Sequence, residues 1–209
     1  YLGRNPAELV DAPSPRKKAM RTLTPYEVEV LFDRVKDNHY CPVIYTAVST
    51  GLRQAELLDL RWRDIDLDMI SISISQVLYK RQGVYLFVEP KTTHSRRRVA
   101  MTTKLALFLK DYWAERQSLY LSLGQLITLD SLVFCNPDGT PFNPSVLSHD
   151  FARIVKRAGL EHLRFHDLRH TFASLMLLRG AKPKVISEAL GHSSVAFTMD
   201  TYSHIIEGM

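Results

Sequence analysis

Apolar residues at Val28, Leu31, Phe32 and Val35 recur every three or four positions, the spacing of one helix face. Just ahead of them, Thr24-Pro25-Tyr26-Glu27 is a start signal. Thr24 serves as N-cap, Pro25 takes the first helical position and Glu27 closes a capping box. A mostly apolar run from Pro42 to Thr50 predicts a buried helix stopped by Gly51, and a short helix from Gln54 to Leu60 follows Arg53. From Met69 the period shortens to two, with Ile70, Ile72 and Ile74 alternating with Ser71, Ser73 and Ser75, a half-buried strand. Val84–Val88 and Arg97–Ala100 read as two more strands. The polar loop Pro90-Lys91-Thr92-Thr93-His94-Ser95 lies between them, so the three strands predict a small antiparallel sheet with Lys91 at a hairpin tip.

The helical period then returns. Thr103–Leu121 carries Leu105, Phe108, Leu109 and Trp113; Leu132–Phe134 is a short extended piece; Pro137-Asp138-Gly139-Thr140 is a turn. Asn143-Pro144 opens a helix to Ala158, closed by Gly159, with Phe151, Ile154 and Val155 inward and Arg153, Lys156 and Arg157 on the outer face. Another helix runs from His166 to Gly180 over Leu168, Phe172, Leu175 and Met176. Lys182-Pro183 starts one that ends at Gly191, and a short one spans Val195 to Met199. The class predicted is α+β, mainly α-helical, with one small three-stranded antiparallel sheet.

Composition changes this picture little. With 209 residues, 45% of them apolar and 23% charged, the chain has the makings of one sizeable core. It lacks the run of about 18 apolar residues that a membrane-spanning helix needs. The formal net charge of +5 favours a polyanionic partner, and local runs at Arg16-Lys17-Lys18 and Arg96-Arg97-Arg98 read either as a solvated face or linker or, at Lys17, Lys18, Arg96 and Arg97, as candidate DNA contacts. Cys41 and Cys135 follow no pairing pattern and point to reduced thiols in a cytoplasmic protein. Residues 1–20, punctuated by Gly3, Pro6, Pro13 and Pro15, read as a linker, in a chain taken to be cut from a longer protein.

The chemistry concentrates near the end. His166 and Arg169, three apart, share a helix face; His192 follows the glycine that stops the next helix, and Tyr202 comes one turn of chain later. Two cationic or proton-donating groups, a loop histidine and a phenol outline a phosphoryl-transfer site. Upstream, Arg53 sits just past a glycine stop with Glu56 three residues on, an acid placed to hold the guanidinium fork in a fixed geometry. A zinc helix is the rival reading of His166 and His170, spaced i and i+4. The glutamate of His-Glu-x-x-His is missing, however, and Arg169 disfavours a second cation, so His170 is read as a hydrogen-bonded structural histidine.

Arg53, Lys91, His166-x-x-Arg169, His192 and Tyr202, in that order and spacing, resemble the catalytic set of the tyrosine recombinases of phage-integrase type, from Thr22 to the end of the chain. The resemblance implies a catalytic domain at 21–209, with 1–20 linking it to a DNA-clamping domain that this chain lacks. It implies Tyr202 as nucleophile, Arg53 and Arg169 on the phosphate, Lys91 as general acid toward the 5′-hydroxyl, His166 as base and His192 donating to a phosphate oxygen. It further implies double-stranded DNA as partner and no metal, ATP or other cofactor. A homotetramer would form on recombination sites, with a monomer possible in isolation, in the cytoplasm of a bacterium or encoded by a phage. Integration, excision and dimer resolution stay open, as do type IB topoisomerase-like relaxation and a catalytically idle DNA-binding module.

Overall fold

The computed structural model describes residues 20–88 and 96–206. Residues 1–19 of the expected linker, with Lys17 and Lys18, and Lys91 lie outside the described residues. Five helices carry the first and middle parts of the fold: α1 (Pro25–Val35), α2 (Cys41–Thr50), α3 (Gln54–Leu57), α4 (Thr103–Ser122) and α5 (Pro144–Arg157). Three more, α6 (Asp167–Leu178), α7 (Pro183–Leu190) and α8 (Val195–Ile206), carry the last part. The capping box at α1 is present on both sides: Glu27 N–H donates to Thr24 Oγ1 at 3.2 Å, and Thr24 N–H to Glu27 Oε2 at 2.9 Å. One main core gathers Leu31, Val43, Ile44, Leu57, Ile72, Leu105, Leu109, Phe134, Phe151 and Leu168. A second, smaller cluster of Phe172, Ala173, Leu177, Ile186, Leu190 and Tyr202 joins α6, α7 and α8.

The small sheet differs from expectation in its membership. Its three antiparallel strands are β1 (Ile65–Asp66), β2 (Ser71–Ile74) and β5 (Arg97–Ala100), in the order β1-β2-β5. Val84–Val88 is β4 and pairs instead with β3 (Val77–Arg81), a strand not anticipated, in a separate two-stranded hairpin. The cause is the Gln82-Gly83 turn. Both residues have positive φ (50° and 84°), which is the type I′ geometry whose twist suits a two-residue hairpin loop. With β4 held by that turn, β5 completes β2, pairing Ile72 with Val99 and Ile74 with Arg97.

The last helix is also longer than the sequence suggests. Asp200 and Thr201 are weak helix formers, so an end at Met199 is the natural reading. In the fold Thr201 Oγ1 bonds back to the Phe197 carbonyl at 2.7 Å and Tyr202 is buried, so α8 continues and carries Tyr202 within it.

Candidate active site

The site is assembled on the C-terminal end of α7. A helix leaves its last carbonyls without intrahelical donors and carries partial negative charge there. Here three consecutive carbonyls each accept from a different arginine. Arg97 Nε donates to Ala189 O at 2.7 Å, Arg169 Nη2 to Leu190 O at 2.6 Å and Arg53 Nη2 to Gly191 O at 3.3 Å. Arg169 also reaches the end of α2, donating from Nη1 to Gly51 O at 2.9 Å. Gly51 adopts φ +66°, and a Cβ there would stand 2.5 Å from Phe172 and 2.7 Å from Leu190. Glycine therefore serves twice, closing α2 in the left-handed region and letting α6 and α7 approach its backbone.

Glu56 fixes two of these guanidiniums. Its carboxylate accepts from Arg53 Nη1 (2.8 Å) and the Arg53 backbone N–H (2.8 Å), and receives a two-pronged bond from Arg97 Nη1 and Nη2 (2.9 Å each). Burial pushes the Glu56 carboxyl up, but the Arg97 and Arg53 bonds and charges outweigh it and hold the pKa below the usual carboxylate range. The side chain of Glu56 is 1% exposed and that of Arg53 38% exposed, so Arg53 is gripped from inside while still meeting solvent. Arg169 is buried and, among the described residues, its hydrogen bonds run to carbonyls. Burial and then Arg53 lower its pKa to about 9, with Glu56 offsetting part of the fall; it remains charged at neutral pH.

Arg97 corrects an expectation. Rather than facing DNA, its side chain is 7% exposed and clasped between Glu56 and α7. Strand alternation explains this, because Arg97 lies on the same face of β5 as Val99, which is buried. Gly191 packs on that guanidinium, where an added Cβ would stand 3.0 Å from Arg97 Nη1. Arg96, at the start of the strand, is exposed.

The histidines border this cradle. His166 caps α6 at the rim, exposed over much of its surface, and its ring stands edge-on to His170 with centroids 5.2 Å apart. Crowding by protein, then the Arg169 charge, lower its pKa. His192, on the α7–α8 connection, pairs Nδ1 with Thr198 Oγ1 at 2.8 Å and sets its ring edge-on to Phe197. Burial, then Arg169 and Arg53, lower His192 to about 4. Both rings are therefore neutral near pH 7 and able to donate one N–H each.

Tyr202 is 1% exposed, and its hydroxyl lies 2.8 Å from His170 Nδ1. Burial raises the phenol to about 12, with Arg169 pulling the other way. His170 is indeed hydrogen-bonded, but its partner is the candidate nucleophile, a contact across 32 positions that sequence spacing did not disclose. Its i+4 relation to His166 was the available signal that it shares their face. Among the described residues, no group of three His, Cys, Asp or Glu side chains gathers as a metal site would require.

Residues 21–208 match the sequence model of the phage integrase family. The ICEBs1 integrase of Bacillus subtilis (strain 168) is 32% identical over 206 residues, covering 98% of this chain and 56% of that protein. A protein described as "Tyrosine recombinase XerC-like" from Caldanaerobacter subterraneus subsp. tengcongensis is 30% identical over 224 residues, covering 99% and 57%. The chain thus spans a little over half the length of these relatives. Among solved structures, the Tn1549 transposon integrase superposes with a TM-score of 0.75 at 23% identity, over 96% of this chain and 66% of that one. The catalytic domain of bacteriophage HP1 integrase gives 0.58 at 21% identity, over 90% and 89%. These two establish likeness of fold.

Proposed function

The chain belongs to the phage integrase family, and from that premise we propose that residues 21–209 are the catalytic domain of a site-specific DNA recombinase, with 1–20 leading into it as a linker. The observation that carries the reading is the cradle of Arg53 and Arg169. Two guanidiniums from distant parts of the chain are fixed against one helix end, beside two neutral histidines and a tyrosine. Such an array stabilises charge that develops on a phosphodiester, because donors already in place need no reorganisation as the reaction proceeds.

In this reading Tyr202 Oη attacks phosphorus, the bond from phosphorus to the 5′ oxygen breaks, and a 3′-phosphotyrosyl DNA and a free 5′-hydroxyl result. Arg53 and Arg169 hold the non-bridging oxygens. His192 donates to the same oxygens, as does His166, whose expected role as base passes to another imidazole because its ring stands against His170 rather than the Tyr202 hydroxyl; Lys91 supplies the proton to the leaving 5′ oxygen. The ester conserves the energy of the broken bond, so religation needs neither ATP nor a metal. The solved Tn1549 integrase was in complex with transposon right end DNA, and XerH was bound to palindromic difH substrate; both support duplex DNA as the partner here. We assign the working assembly to a homotetramer on two sites, in the cytoplasm of a bacterium or encoded by its phage. No helix among the described residues is long and apolar enough to cross a membrane.

The test is a pool of nicked duplexes whose short leaving strand diffuses away after cleavage. An SDS-resistant adduct formed in the presence of chelator and lost in Tyr202→Phe supports the reading, and sequencing the trapped DNA names the site. Salt-sensitive binding with no adduct would favour an idle binding module; relaxation of supercoils without strand exchange would favour a topoisomerase-like activity.

A further inference from the structure

We propose that His170 is the group that takes the phenolic proton of Tyr202 during strand cleavage and returns it on religation. The inference deepens the reading above and rests on Tyr202 as nucleophile. Three features of the site point to it.

The first is contact. Of the site's imidazoles, His170 is the one hydrogen-bonded to the phenol, at 2.8 Å, within the reach a general base needs. His166 stands against the His170 ring, and His192 is tied through Nδ1 to Thr198. The second is direction. His170 lies in the first turn of α6, one residue past Arg169, so one short stretch of helix brings both a phosphate ligand and a proton acceptor to the reacting oxygen. With the ring as its Nε2–H tautomer, the phenol donates to Nδ1, leaving the other lone pair of Oη for phosphorus.

The third is protonation state. The groups facing His170 are His166, Asp167, Arg164 and Arg169 from α6 and the turn before it, His192 from the α7–α8 connection and Tyr202 from α8. Burial, then His166, hold the imidazole neutral, near 4, so it is free to accept. Because the phenol is held near 12, the proton stays on Tyr202 while the site is empty. As the phosphorane forms, negative charge arrives beside the imidazole and raises its basicity, and the developing ester lowers that of the phenol oxygen. Transfer therefore accompanies formation of the bond from Oη to phosphorus. The balance is closed: the Tyr202 proton moves to His170 Nδ1, and Lys91 gives one to the departing 5′ oxygen.

The buried hydrogen bond has a competing use, as a latch that keeps Tyr202 away from DNA, and the two uses predict opposite signs. The experiment is single-turnover adduct formation by the whole chain on nicked duplexes, with an ordinary and a 5′-bridging phosphorothiolate linkage, for wild type, His170→Gln, His170→Asn and Lys91→Ala. A thiolate leaves without a proton, so defects on the leaving-group side shrink on the second substrate and those on the nucleophile side persist. We expect both His170 variants to bind DNA within about two-fold of wild type. Their adduct formation should slow by about 10²-fold or more, equally on both substrates, while the Lys91→Ala defect is relieved by sulfur. An unchanged or faster rate in the His170 variants would make the contact a latch and overturn the proposal, as would rescue by the thiolate. Nitrogen-15 spectra of the imidazoles in the wild-type chain free of DNA read the same contact without any variant. They must show His170 with Nδ1 unprotonated and accepting; an Nδ1–H or doubly protonated ring overturns the assignment. Tyr202→Phe on the same substrates keeps the two questions apart. An adduct surviving in that variant removes the nucleophile itself, whereas a null Tyr202→Phe beside active His170 variants removes only the relay.

Discussion

The phosphate cradle and the nucleophile are neighbours in space, yet the molecule holds them differently. The cradle is knitted from five elements: the end of α2, the start of α3, the first residue of β5, the first turn of α6 and the end of α7. Its guanidiniums are fixed by bonds to Glu56 and to the carbonyls of Gly51, Ala189, Leu190 and Gly191. Tyr202 rides on α8, which packs on α6 and α7 through the smaller cluster, and its hydroxyl is held by the bond to His170. Charge complementarity is thus built into the joining of the main elements. The bond-making group sits on an element that packs through the smaller of the two clusters, and elements with less packing behind them are moved at lower cost. With Tyr202 1% exposed, a DNA phosphate reaches it only by displacing what covers it.

If the cradle is the fixed half, its loss should be the most damaging. Arg169→Lys replaces a fork that bonds two carbonyls on different helices with a single ammonium that cannot span both. We expect adduct formation to fall by about 10³-fold, since removing one oxyanion donor alone costs about 10²- to 10³-fold. The melting temperature should fall as well. Arg53→Lys, with its side chain 38% exposed, should lose comparable activity and much less stability. Single-turnover rates and thermal melts on the same preparations separate the two, and equal loss of stability would erase the distinction between a buried fastener and a gripped but solvent-facing ligand.

Glu56→Gln comes next. It leaves Arg97 and Arg53 facing a neutral amide, and breaking a buried charge pair typically costs about 3–5 kcal/mol. The pH dependence follows with a definite sign. The folded pKa of Glu56 lies below its ordinary value of 4.5. Its contribution is therefore complete above that value and is lost as the pH falls through the folded pKa. Chemical denaturation across acid pH should show that loss in wild type and a flatter curve in Glu56→Gln.

How much of this could be read from the chain alone divides along physical lines. Helices announced by local signals were legible: the Thr24 capping box, the Gly51 stop and Asn143-Pro144 all appear where the sequence put them. The sheet was misassembled because Gln82-Gly83 is a less familiar type I′ turn than Asn-Gly, and because a two-residue β1 carries no periodicity. Within the site, Arg53 and Glu56 were legible as a pair three residues apart on one short helix. Arg97 was not, since three consecutive arginines suggest a solvated or DNA-facing run; the strand alternation that turns Arg98 outward and Arg97 inward depends on knowing the strand. The bond from His170 to Tyr202 joins two helices, and nothing local in the sequence encodes it.

Acidification should affect the two halves in sequence. His170 and His192 are lowered to about 4 from an ordinary 6.5, in both cases chiefly by burial. An unfolded chain takes up their protons first, so the stability they confer is complete above about pH 6.5 and is lost progressively toward pH 4. That window opens before the Glu56 window, which begins at 4.5. The α8 side should therefore loosen first, with amide exchange in α8 rising between pH 6.5 and 4.5 while exchange around α2 and α3 holds steady. Simultaneous loss of protection would join the two halves into one cooperative unit.

The smallest effect we expect comes from the bond that orients His192 across the boundary between the halves. Thr198 is buried on α8 and holds His192 Nδ1 at 2.8 Å, which sets the ring's orientation and tautomer and leaves Nε2 for the phosphate. Thr198→Val keeps the shape and deletes the hydroxyl. The cost to stability should be about 1 kcal/mol, the net worth of an ordinary hydrogen bond. DNA binding should barely change, because Arg53 and Arg169 are untouched. Adduct formation should fall by about 10-fold, the consequence of a donor present but no longer aimed. If instead the rate holds and only the melting temperature drops, His192 is positioned by its packing on Phe197 and by the backbone bond from His192 N–H to the Ser187 carbonyl. Its placement would then belong to the end of α7 and to the cradle rather than to the α8 side of the site.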